Sequence, residues 1–80
     1  MKLWRISQET NNSYDTYDSA VVAADLEDEA KMMNPHNGED IKKKMYNEWV
    51  GTPDLVICEY IGEAKEGTEK GVICASYNAG

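Results

Sequence analysis

Phenylalanine is absent from this chain, and cysteine, proline and histidine are scarce, at two, two and one among 80 residues. The aromatics are five tyrosines and two tryptophans. Each carries a polar atom, which suits half-exposed positions and interfaces. A chain of 80 residues makes a single domain, 1–80, and its core supplies roughly 3–5 kcal/mol net. That leaves little room for a deep, dry active site. No apolar run approaches the roughly 20 residues needed to cross a bilayer, and "MKLWRISQ" is too short and too polar for a secretory leader. The expectation is a protein without membrane contact, with its two cysteines reduced.

Signatures of chemistry are missing as well. There is no GxGxxG, no GxxxxGK[ST] and no G-x-S-x-G. Cys58 and Cys74 lack CxxC spacing and a third or fourth ligand. Both fall in strands expected to form one hairpin, so the thiols could lie close together, as small buried hydrophobes. His36 has no nucleophile or orienting acid at a recognisable spacing and reads as an exposed turn residue. Asp15 and Asp18 in "DTYD" offer too few oxygens for a calcium loop. No enzyme, cofactor or metal is expected.

Acids, by contrast, are abundant. Fifteen acids against eight bases give a net charge of −7. Residues 1–30 carry −5 (two bases, seven acids), residues 31–50 +1 (four and three) and residues 51–80 −3 (two and five). Direct nucleic-acid binding needs clustered Lys and Arg, and Lys42-Lys43-Lys44 is the one basic run.

Alternation in "KLWRISQ" predicts a strand with Trp4 and Ile6 on the buried side. "TYDSAVVAAD" predicts a second strand, apolar on both faces and therefore central, its alanines leaving room for a helix. Asp25 is the expected N-cap, with Asp28 three residues on in a capping box. Leu26, Ala30 and Met33 share one face of the helix that follows. Glu27, Asp28 and Glu29 fill its first turn, where the helix dipole favours anions, and Asn34-Pro35 stops it. Ile41, Met45 and Trp49 suggest a second short helix. "DLVICEYIGEA" and "GVICASYN" predict two more strands joined by a hairpin loop, "KEGTEK". The expected fold is α+β: a small two-layer sandwich, β-β-α-(α)-β-β, with a mainly antiparallel four-stranded sheet and one main helix. Exposed edge strands could pair between chains and make a homodimer.

"MKLWRISQ…NNSYDTYDSAVVAADLEDEAK" together with "IGEA…KGVICASYNAG" resembles a family of small open reading frames carried by bacteriophages and prophages, one without an established activity. Residues 34–54 match that family less clearly. The resemblance implies a phage origin and, by analogy with other small acidic phage proteins, a place in the host cytoplasm. It also implies a host protein as partner, one that handles nucleic acid or serves defence, such as a CRISPR effector. The expected working surface is acidic and tyrosine-containing. Asp15, Asp18, Glu27, Asp28 and Glu29 would supply charge that imitates a phosphate track, and Tyr14 and Tyr17 would supply anchoring contacts. Two other readings stand beside it: capture of a small nucleotide signal by an oligomer, and a virion or assembly accessory.

Overall fold

A computed structural model describes residues 1–10, 15–43 and 49–78 of the chain. The elements run β1 (Lys2–Ser7), β2 (Thr16–Ala24), α1 (Glu27–Lys31), β3 (Ile57–Glu63) and β4 (Gly71–Asn78), with 3-10 turns at Ile41–Lys43 and Pro53–Leu55 between α1 and β3. The four strands form one antiparallel sheet. The helix and the segment after it cover one face, in the α+β two-layer arrangement that the element pattern predicts.

β1 and β2 are the central hairpin, and their register sets the floor of the core. Trp4 lies opposite Val22 and Ile6 opposite Ala20, and all four are buried. Alternation places these residues on one face because successive side chains of a strand point to opposite sides. The Trp4 indole N–H donates to the Ala24 carbonyl at 3.0 Å, satisfying its polar edge inside the core. Ala30 and Met33 come down from α1 and its exit, and Ile41, Trp49, Val50 and Val56 complete the cluster. Trp49 is the largest fully buried side chain.

The helix is shorter than the sequence predicts and starts one residue later. Its N-cap is Leu26, not Asp25. Glu29, rather than Asp28, closes the turn by accepting from the Leu26 backbone N–H at 3.3 Å. Asp25 is left exposed, its carboxylate 3.9 Å from the N-terminal amine. After Lys31 the chain makes a tight loop instead of a further turn. Asn34 is buried and accepts the His36 N–H on its side chain at 2.9 Å. Its carbonyl receives Gly38 N–H at 2.7 Å, and its own N–H reaches the Glu39 carbonyl at 2.8 Å. Gly38 completes the loop at φ +77, a conformation in which glycine avoids the Cβ clash. Of the second predicted helix, Ile41–Lys43 is a 3-10 turn and residues 44–48 lie outside the described residues. Ile41 and Trp49 are both fully buried.

The largest correction concerns the last two strands. They do not form a hairpin. The sheet order is β3-β1-β2-β4, so β3 and β4 occupy opposite edges, and "KEGTEK" belongs to a connection that crosses from one edge to the other. Cross-strand chemistry is compatible with this order. β3 brings Glu63 opposite Lys2 and Glu59 opposite Arg5 on β1, and opposite charges facing each other across strands are favourable. β4 has no charged side chain between Gly71 and Asn78. It pairs like with like against β2, Tyr77 with Tyr17, Ser76 with Ser19 and Ala75 with Ala20. The local turn chemistry of "KEGTEK" is genuine, with Thr68 N–H bonding the Lys65 carbonyl at 3.0 Å, but these pairings override the short connection.

Ile6→Ala should cost roughly 2–5 kcal/mol, because Ile6 is fully buried against both halves of the core. Ile57→Ala, at a side chain 45% exposed, should cost about 0.5 kcal/mol or less. Urea titration followed by tryptophan fluorescence measures both.

Candidate partner-binding surface

α1 projects its acids because its apolar stripe faces the sheet. Ala30 is buried, and Glu27 and Asp28 are exposed. Glu29 is not a free charge. Its carboxylate takes a hydrogen bond from the Lys70 ammonium at 2.9 Å. That bond, with the Lys70 charge, holds the Glu29 carboxyl below the usual carboxylate range. Glu29 thus serves as helix cap and as the tie between α1 and the connection ahead of β4. Among the described residues the Asp28 carboxylate has no hydrogen bond or ion pair.

Asp28 and Glu29 form one wall of a groove of about 360 Å³. Asp40 adds a third carboxylate, Met32 and Met33 line it with thioether side chains, and Gly38 and Lys70 complete it. Asp40 also accepts the Lys42 backbone N–H at 2.9 Å. Carboxylates around methionine suit a long cationic side chain, which lays its methylenes on sulfur and carbon and its charge among the acids. The sequence marks Asp28 and Glu29 but not this groove. Lys70 is 41 residues from Glu29, and no local pattern joins them.

The other predicted site residues lie elsewhere. Tyr14 is outside the described residues. Tyr17 is half-buried against the core. Its hydroxyl is 3.1 Å from His36 Nδ1, and its ring stands edge-on to Tyr77 at 4.8 Å. These three rings form a cluster at the end of the sheet where β2 begins. Tyr60 sits on the opposite edge of the sheet, edge-on to Trp4 at 5.5 Å, apart from Tyr17 and Tyr77. Asp15 immediately precedes β2 with φ 60, a left-handed conformation that Asp tolerates better than most residues. Asp18 is the extra residue of a bulge between Tyr17 and Ser19, and its carboxylate accepts from the Ser76 hydroxyl at 3.4 Å.

Cys58 and Cys74 are apart. Cys58 lies opposite Ile6 on one edge strand, and Cys74 opposite Val21 on the other. Three strand spacings separate the two edges, about 14 Å, against the roughly 7 Å limit between Cα atoms in a disulfide. Burial under α1 pushes the Cys58 thiol up to about 11, with the Glu27 charge acting the same way and Lys31 opposing. Cys74 is exposed, which corrects the expectation that both thiols are buried. Among the described residues no cluster of His, Cys, Asp and Glu could hold a metal ion, and no helix is long and apolar enough to cross a membrane. No family model, no curated protein and no solved structure matches the chain.

At pH 8, iodoacetamide should modify Cys74 first and Cys58 far more slowly. A rise from 9.0 to about 11 leaves about a hundredfold less Cys58 thiolate. Alkylation of Cys58 should therefore climb steadily toward pH 11, and peptide mapping by mass spectrometry reads each site separately.

Proposed function

We propose that this protein is a binding protein that docks its acidic α1 surface onto a basic region of another protein. The observation that carries the reading is the groove walled by Asp28, Asp40 and the Lys70-paired Glu29 and lined by Met32 and Met33, beside the exposed Asp25 and Glu27. An arginine or lysine of the partner would enter the groove, and the flanking acids would steer the approach. Steering of this kind speeds encounter and weakens with salt. The net charge of −7 opposes direct contact with nucleic acid and favours proteins that present basic grooves to it. Together with the resemblance to phage open reading frames, this points to a host nucleic-acid-handling or defence protein, such as a CRISPR effector, as the molecule inhibited or modulated. Tyr17 enters this reading as a support for the His36 loop, while Asp15 and Asp18 extend the negative field along β2.

The test is capture of a tagged copy from a bacterial host at low and moderate salt, with bound proteins identified by mass spectrometry. One stoichiometric nucleic-acid-handling partner should copurify at low salt and be lost as salt rises. Glu27→Lys combined with Asp28→Lys should weaken that complex by about tenfold or more, since like charges then face each other across the interface. A complex indifferent to salt and to the double substitution overturns the electrostatic reading.

A further inference from the structure

We propose that the protein forms a two-fold dimer in which β4 pairs antiparallel with β4 of a second copy, joining two four-stranded sheets into one. β4 is an edge strand of eight residues that, among the described residues, pairs in the sheet with β2 alone. From Val72 to Ser76 its other side therefore presents backbone N–H and C=O groups, a template for a further strand. Natural edges are blunted by charge, proline or inward-pointing ionic residues. Between Gly71 and Asn78 there is no charge and no proline, and the strand exposes Ile73 at 51% and Tyr77 at 45%.

Charge selects the second copy as occupant and β4 as the seam. Two chains of −7 repel over most of their surface, so self-association needs a stretch free of acids. β3, the other edge, carries Glu59 and Glu63, and α1 carries three acids in its first turn. β4 is the neutral edge. Two acids approach it from the β2 side, away from the seam: Asp18, whose carboxylate accepts the Ser76 hydroxyl at 3.4 Å, and Asp15, whose backbone N–H bonds the Asn78 carbonyl at 2.7 Å.

Geometry sets the register. A bulge at Ile73, between the pairs Val21–Cys74 and Val22–Val72, limits the regular ladder to the part of β4 from Cys74 onward. Two-fold antiparallel pairing brings residues of equal parity opposite each other, since backbone groups alternate in direction. An axis at Ala75 sets Ala75 against itself and Cys74 against Ser76 of the partner subunit. Just beyond that ladder, at the bulge, Ile73 lies beside Tyr77 of the partner subunit, an apolar contact flanking the seam.

Sedimentation equilibrium across a concentration series, up to about 1 mM, at low and moderate salt tests the proposal. The wild-type chain should dimerise, and more tightly as salt rises, because salt screens the repulsion between like-charged copies. This is the opposite sign from the partner complex proposed above, so either idea can fail alone. Ala75→Glu should weaken the dimer by about fivefold or more by setting two carboxylates across the axis. Ile61→Glu on β3 should leave it within about twofold. Hydrogen exchange of the wild-type chain gives a reading that needs no variant: β4 amides should slow with protein concentration and β3 amides should not. A chain that stays monomeric throughout, a dimer lost with Ile61→Glu and kept with Ala75→Glu, or concentration-dependent protection on β3 alone overturns it.

Discussion

The register between β1 and β2 is the constraint on which the rest of the molecule depends. A slip of one residue would turn Trp4 and Ile6 to the open face and bring Arg5 into the core. With Trp4 opposite Val22 and Ile6 opposite Ala20, the small side chains of β2 make space above the sheet, and α1 settles there through Ala30 and Met33. The indole of Trp4 reaches the carbonyl of Ala24, so the largest side chain of β1 also fastens the end of β2 from which the helix departs. A small domain has few such anchors, and a core this limited gives each a large share of stability.

The central hairpin leaves two edges, and the chain fills them by chemistry. β3 sets Glu63 and Glu59 opposite Lys2 and Arg5 of β1, while β4 sets neutral residues opposite β2. One edge thereby carries Glu59 and Glu63, and the other carries no charged residue between Gly71 and Asn78. The separation of Cys58 from Cys74 and of Tyr60 from Tyr77 follows from the same arrangement. Residues that are close in sequence, on strands separated by one short connection, end up with the width of the sheet between them.

The acids divide by work done. Glu29 caps the helix and binds Lys70, so part of the negative charge in "DLEDEA" is structural. Asp25, Glu27 and Asp28 remain turned to solvent, beside a groove that the loop from Asn34 to Gly38 helps to enclose. That loop depends on a buried asparagine, which satisfies its own turn, and on a glycine at positive φ. The candidate surface therefore rests on the loop as much as on the helix.

The sequence by itself determined the four strands, the presence of one α-helix after β2 and the class of fold. Period-two alternation in "KLWRISQ" identified the buried face of β1 and the alanine-rich run placed β2 at the centre, because each of these signals acts within a few residues; the helix ends at Lys31, ahead of the Asn34-Pro35 stop that the sequence suggests. The helix cap moved by one position since Asp25 and Leu26 compete locally and only the bond from Glu29 decides between them. Tertiary structure alone decided where β3 and β4 go. A glycine-containing connection reads as a hairpin, yet the partner of an edge strand is chosen by cross-strand pairs contributed by residues more than fifty positions away, such as Arg5 with Glu59 and Tyr17 with Tyr77. The groove belongs to the same class, because Asp28, Asp40 and Lys70 share no spacing and meet only when the helix, its loop and the crossover are packed on one sheet.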